Sequence, residues 1–237
     1  MCTGTASIAH KGFRLEIIES ADATGLRVHA PSSSGGAIDV DVTVAKPADH
    51  ESLNVVIPWS DTRFQFTSKQ NTRPATGTIR VGDRSWAVGN DAWGVQDLGR
   101  GIWPYANRWN WAAGSGHAAD GRVVGLQFGG KWTEGTGFTE NALCIDGHLT
   151  KISEELEWSY SWDDPMAPWR VRTTGSDQVD VVLTPFFDRY DNTDLKVLKM
   201  EVHQCFGTWA GTVIADDGTP AVIERLDGFA EEARNRW

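Results

Sequence analysis

The chain has 237 residues, 40% of them hydrophobic and 23% charged, with a formal net charge of −10. That length allows one large β domain or two small ones, with enough core to fold without staples. The acidic balance argues against a generic nucleic-acid partner, which needs a basic face, and no Lys/Arg run supplies a local one.

Cys2, Cys144 and Cys205 are odd in number and unrelated in spacing. No CxxC pair exists, so neither a zinc site nor a disulfide framework is expected. Cys144 and Cys205 lie in apolar strand contexts and read as small buried thiols. The opening MCTGTASIAHKGF has no apolar core of a signal peptide, and no stretch approaches the roughly 18 apolar residues of a membrane span. A reducing, cytoplasmic setting with no transmembrane segment is the expectation.

In chain order the dominant hydrophobic period is two. FRLEIIES (13–20), LRVHA (26–30) and AIDVDVTVA (37–45) come first; in the last, Ile38, Val40, Val42 and Val44 alternate with Asp39, Asp41 and Thr43. PSSSGG (31–36) reads as a surface turn. SLNVVIP (52–58), RFQFTSK (63–69) and TGTIRV (76–81) follow, and RSWAV (84–88) folds back across Gly82-Asp83. GRVVGLQFGG (121–130), FTENALCI (138–145) and HLTKI (148–152) come later, the last two joined by Asp146-Gly147, the strongest hairpin signal present. ELEWSYSW (155–162), WRVRT (169–173), DQVDVVLTPFF (177–187), LKVLKMEVHQCFG (195–207) and WAGTVIA (209–215) continue the pattern. In LKVLKMEVHQCFG, Gln204 is expected inward and His203 on the opposite face. Asp217-Gly218 turns the chain into a closing segment that reads as strand or short helix. Roughly fifteen short strands with turn signals between them describe a sandwich or barrel.

Between these strands lies DAWGVQDLGRGIWPYANRWNWAA (91–113), which holds four of the twelve tryptophans. Trp93, Trp103, Trp109 and Trp111, with Arg100 and Tyr105, have the chemistry of a ligand pocket: flat apolar faces with polar groups at the rim. They equally suit a packed junction of two β layers. On NRWNWAA the two-residue period places Trp109 and Trp111 on one face and Arg108 and Asn110 on the other. QDLGRG reads as a loop in which Asp97 and Arg100 form a charge-assisted pair, structural or catalytic.

Glu140, in Thr139-Glu140-Asn141, is the second acid of interest. Turned inward, it has its pKa raised by desolvation and becomes a general-acid candidate; turned outward, it is an edge residue in water. The histidines show no metal-like spacing, and HxH, HExxH and calcium-loop patterns are absent, so no metal or cofactor is expected. The chain also lacks GxSxG, GxxxxGK[ST] and GxGxxG motifs; LQFGGKW (126–132) opens no helix.

Six ordered stretches resemble the domain-of-unknown-function family 2804. They are PWSDTRFQFTSKQNTRPATGTIRVGDRSW (58–86), DAWGVQDLGRGIWPYANRWNWAAGSG (91–116), GFTENALCIDGHLTKI (137–152), PWRVRTTGSDQVDVVLTPFFDR (168–189), HQCFGTWAGTV (203–213) and GFAEEARNRW (228–237). The succession of an acid, a glycine-rich turn and W-x-W is also similar to the lipocalin-like hydratase and cyclase group that acts on carotenoid and tocopherol precursors. That similarity implies paired β-barrels with an acid and tryptophans near their junction, and transfers no catalytic role to any residue. Family members extend further upstream than this chain, so the resemblance implies an incomplete first barrel or a fragment.

The expected architecture is all-β and lipocalin-like, made of antiparallel barrels: a partial barrel or sheet over 1–90 and a more complete barrel over 91–237. Three functions are open. The first is a small-molecule-binding barrel for an apolar, polyene or sugar-like ligand, lined by the four tryptophans with Asp97, Arg100 and Tyr105 at the rim. The second is a hydratase, cyclase or glycan-processing enzyme with Asp97 or Glu140 as general acid. The third is a structural or interaction module. No oligomeric state is implied.

Overall fold

The computed structural model describes residues 3–32, 36–89 and 91–236. Residues 33–35 of the expected PSSSGG turn, and Cys2, lie outside the described residues. Among the described residues every regular element is a strand, so there is no helix long and apolar enough to cross a membrane. The first strands are β1 (Gly4–His10), β2 (Phe13–Glu19), β3 (Ala23–Ala30), β4 (Ile38–Ala45) and β5 (Leu53–Ser60). Then come β6 (Arg63–Val81), β7 (Arg84–Val88), β8 (Trp93–Gly101), β9 (Ala106–His117), β10 (Val123–Gly130), β11 (Asn141–Ile145) and β12 (His148–Ile152). The last are β13 (Glu157–Ser159), β14 (Trp169–Arg172), β15 (Val179–Asp194), β16 (Lys199–Ile214) and β17 (Pro220–Arg236).

The chain divides into two compact units, one of residues 1–50 and 73–94 and the other of 51–72 and 95–237. In the smaller unit β1, β2, β3, β4 and the second half of β6 pair antiparallel in that order, with β7 also on β6. This sheet is not closed, and only a few of its side chains, Val42 and Ala75 among them, are buried. Ion pairs tie its neighbours instead: Arg27 to Asp41 at 2.6 Å and His29 to Asp39 at 2.7 Å.

The larger unit is built on a nine-stranded antiparallel sheet in the order β12-β11-β10-β9-β17-β16-β15-β14-β13. It curls into a half-barrel around its own core, where Leu126, Phe128, Leu143, Ile152, Trp169, Val181, Leu183, Trp209 and Leu226 are all buried. The second sheet is thus the more complete of the two, as expected. β5 and the first half of β6 form a hairpin of this unit, and β8 also pairs with β6.

Period-two patterning and turn chemistry account for these elements. At Asp146-Gly147 both residues have positive φ (50° and 88°), the condition for the two-residue hairpin turn that sets Ile145 opposite His148. Several segments read as separate strands prove continuous. β6 runs through Pro74, β16 absorbs a bulge between Trp209 and Gly211, and the closing segment is one strand of 17 residues with no helix. Neighbouring ladders supply the hydrogen bonds that local propensity leaves open. In the other direction, ELEWSYSW keeps only three strand residues.

Trp209 anchors the core. Its fully buried indole donates to the Ala113 carbonyl at 3.3 Å and meets Phe128 edge-on at 6.3 Å between centroids. Trp209→Ala is expected to cost about 3–5 kcal/mol in urea unfolding, whereas Trp86→Ala, at a half-exposed position, changes stability by less than about 1 kcal/mol.

Candidate functional site

The larger unit contains a cavity of about 270 Å³ lined by Gln65, Thr67, Lys69, Asp97, Trp103, Trp109, Asn110, Trp111, Trp132, Glu140 and Glu231. Alternation assembles it. Gln65, Thr67 and Lys69 are every second residue of β6 and are buried, as a strand with one face inward requires. Trp109 and Trp111 share a face of β9, and Glu231 of β17 sits directly opposite Trp111 in the ladder. Asn110 turns its side chain the other way, to the Tyr160 hydroxyl at 3.0 Å.

Lys69 is the electrostatic centre. Its ammonium lies 2.8 Å from Asp97 Oδ2, 3.3 Å from Glu140 Oε1 and 4.1 Å from the centroid of the Trp111 ring. Asp97 takes a second hydrogen bond, from Thr67 Oγ1 at 2.8 Å. The expected Asp97–Arg100 pair does not form. QDLGRG belongs to strand β8 and is no loop, and residues three apart on a strand face opposite ways. The glycines of this segment serve close packing: a Cβ on Gly99 would come within 2.2 Å of Gln65 Nε2, and one on Gly101 within 2.1 Å of the Phe64 carbonyl oxygen.

Glu140 immediately precedes β11 and is 2% exposed. Its neighbours are tied down: Thr139 donates to the Ile152 carbonyl at 2.6 Å, Asn141 Oδ1 accepts from Gly129 N–H at 2.8 Å, and Lys151 donates to both Thr139 Oγ1 and the Asn141 carbonyl. The carboxyl lies over bare backbone, since a Cβ on Gly129 would stand 2.6 Å from Glu140 Oε2. Burial pushes the Glu140 pKa up to about 7, against the pull of Lys69; the Asp97 charge adds to the rise. At 3.3 Å Lys69 contributes charge, but Oε1 receives no well-formed hydrogen bond. Glu231 is a third carboxyl in the cavity. Its pKa is raised by desolvation, although Trp109 Nε1 and Gln204 Nε2 each donate to it at 2.8 Å.

The aromatic wall is a tryptophan cluster. Trp103 and Trp132 stack with centroids 5.5 Å apart, Trp103 lies 5.6 Å from Trp109, and Trp59 lies 5.0 Å from Trp103. Each ring nitrogen that is paired has a definite acceptor, as Trp103 Nε1 has Gln65 Oε1 at 2.8 Å and Trp111 Nε1 has Gln127 Oε1 at 3.1 Å. Such pairing fixes ring orientation.

Of the residues singled out in the sequence, Asp97, Glu140, Trp103, Trp109 and Trp111 therefore line one cavity. Arg100 is exposed and does not line it. Tyr105, 58% exposed, directs its hydroxyl to the Val197 carbonyl at 3.3 Å, and Trp93 belongs to the smaller unit. Sequence reasoning missed Lys69, Trp132 and Glu231. The signal for Lys69 was present: Gln65, Thr67 and Lys69 are the polar phase of RFQFTSK. Among the described residues no cluster of three or more His, Cys, Asp or Glu could hold a metal ion.

The raised Glu140 pKa has a thermodynamic consequence. Folded Glu140 binds its proton more tightly than an unfolded glutamate, whose value is 4.5, so stability falls as pH rises from about 4.5 to about 7. Glu140→Gln should remove that loss. Relative to the parent protein the variant is expected to gain on the order of 2 kcal/mol between pH 5 and pH 8, measured by urea unfolding at each pH.

Comparison with known proteins adds a family. No curated protein matches the sequence significantly. Kievitone hydratase from Nectria haematococca is similar in structure, with a TM-score of 0.45 and 9% identity, over 95% of this chain and 83% of that one. A putative AttH from Nitrosomonas europaea is similar with a TM-score of 0.40 and 15% identity, over 96% of this chain and 67% of that one. The model of the domain-of-unknown-function family DUF2804 matches residues 1–237, and the chain belongs to that family.

Proposed function

We propose that the larger unit binds a small molecule with a flat apolar face, an unsaturated segment or a sugar ring, against the tryptophan cluster. The observation behind this reading is that three carboxyls, one ammonium and four indoles line a single cavity. Its volume is just below the roughly 300–1,000 Å³ of drug-sized sites, which suits a ring or one end of a longer ligand. Trp103, Trp109, Trp111 and Trp132 supply the contact area, while Asp97 and Lys69 fix polar substituents. The burial of both Cys144 and Cys205 fits a reducing, cytoplasmic setting.

A second reading, acid–base catalysis on the bound ligand, is favoured by Glu140. A carboxyl with a pKa of about 7 holds its proton in about half of the molecules at neutral pH and gives it up at little cost. When the proton passes to the ligand, the resulting carboxylate stands beside the Lys69 ammonium, and Asp97 holds that ammonium in place from the other side. Proton return to Glu140 reverses the same charge movement. This chemistry is that of hydration, dehydration or cyclisation of an unsaturated compound, or of glycan processing.

Tryptophan fluorescence tests the binding step. Titration with a panel of polyenes, phenolic compounds and monosaccharides should give saturable quenching with at least one class. Trp103→Ala and Trp132→Ala should weaken that binding about tenfold or more. Glu140→Gln should bind within about threefold of the parent protein yet lose turnover by about 100-fold or more. A complete lack of saturable response across the panel refutes the binding reading; unimpaired turnover in Glu140→Gln refutes the catalytic one.

A further inference from the structure

The opposite face of the same sheet carries a second, larger cleft of about 740 Å³ in the larger unit. Its character follows from strand register. Arg234 of β17 stands directly opposite Arg108 of β9, and two residues further along the same face Arg236 stands directly opposite Lys199 of β16. Like charges placed directly across a ladder destabilise a sheet, and here two such pairs are adjacent. Lys131 adds a fifth cation, from a residue with φ of 65°, a strained conformation for a residue with a side chain.

The internal carboxylates do not balance this charge. Glu232 at the buried floor takes Lys131 at 2.9 Å and Arg234 at 2.8 Å, and Glu201 takes Lys199 at 3.1 Å. Glu134 also lines the cleft. Arg236 donates only to a neutral acceptor, the Lys196 carbonyl at 2.7 Å, and Arg108 has no hydrogen bond or ion pair among the described residues. Among the described residues five cations face three carboxylates, an excess of two positive charges in a chain of net charge −10.

Arg234 is held rigidly, with its guanidinium 3.5 Å from the centroid of the Trp162 ring and bonded to Glu232. Lys131 is fixed between Glu232 and the Tyr160 hydroxyl, which it meets at 2.6 Å. The floor is thus pre-organised, while Arg108 and Arg236 at the rim keep donors to spare. Guanidinium groups in this arrangement suit bidentate recognition of phosphate or carboxylate oxygens.

We propose that this cleft is a binding site for a small polyanion bearing phosphate groups or several carboxylates, held at the rim by Arg108 and Arg236 over a floor formed by Lys131 and Arg234. It is distinct from the tryptophan cavity, which lies on the other face of β9 and β17, and does not depend on the function assigned there.

Calorimetric titration of the full chain at low ionic strength, with pyrophosphate and with citrate as probes, tests the proposal. At least one probe should bind with a Kd below about 1 mM, and the tighter of the two identifies the preferred group. Arg108→Ala and Arg236→Ala should each weaken binding about tenfold or more. Arg225→Ala, which removes an exposed arginine outside the cleft, should leave it unchanged. Because Arg108 is in a like-charge pair, Arg108→Ala should also keep or raise the melting temperature of the free protein. Failure of both probes to bind at millimolar concentration overturns the proposal, as does equal weakening by Arg225→Ala. A lowered melting temperature for Arg108→Ala would instead make that residue structural and overturn its role at the rim.

Discussion

Two consecutive carboxylates on one central strand impose the main constraint on the larger unit. Glu231 and Glu232 are both buried, at 7% and 0% exposure, and successive strand residues point to opposite faces. β17 lies between β9 and β16, so neither carboxylate can reach water by shifting its strand to an edge. Each must be met by donors on its own side, because an unpaired buried charge costs several kcal/mol. On one face the donors are Trp109 and Gln204; on the other they are Lys131, Arg234 and Tyr160. The positions of those five side chains, drawn from β9, β16, β17 and the segments after β10 and before β14, follow from that requirement.

The two faces solve the problem differently, and the difference decides their chemistry. Glu232 has two cations, so although burial raises its pKa, hydrogen bonds from Arg234, Lys131 and Tyr160 outweigh that and hold it low. It is a fixed anion. Glu231 receives only neutral donors, and desolvation prevails. Glu140 in the same cavity has one ammonium, which Asp97 already engages more closely, and desolvation prevails there too. One face therefore holds a fixed anion at Glu232, and the other holds Glu140, a carboxyl whose proton can move.

Alternation and turn residues made the all-β class, the hairpins at Gly82-Asp83 and Asp146-Gly147 and the shared face of Trp109 and Trp111 legible in the sequence, because each depends on a few neighbouring residues. The site was legible in part. Glu140 stood out as a charge in an apolar strand, but its direction depends on Gly129 and Lys151, which reach it through sheet pairing. The Asp97–Arg100 pair illustrates the opposite failure. Two glycines made QDLGRG look like a loop, whereas their bare backbone admits Gln65 beside a strand. Lys69 lies 28 residues from Asp97, and nothing local announces a partnership over that distance. FAEEA offered a clue of its own: paired acids within an apolar strand must be buried on both sides or lie at an edge.

Stability and chemistry are separated along the same strands. Toward one end of β9, β16 and β17 the inward residues are Ala112, Trp209, Val213, Ile223 and Leu226, all in the core. Toward the other end the same strands present Arg108, Asn110, Glu201, Glu231, Glu232 and Arg234. A buried ion pair is weak support for a fold, since its desolvation offsets most of its attraction. The charged end thus adds little net stability, and the apolar end supplies the hydrophobic stabilisation that lets it persist. Continuous strands of 12 to 17 residues make this possible, because one rigid ladder transmits the order of the core to side chains several residues away. A half-barrel of shorter strands would have to place its charged groups on loops, without the ladder that sets Trp109 and Gln204 on either side of Glu231.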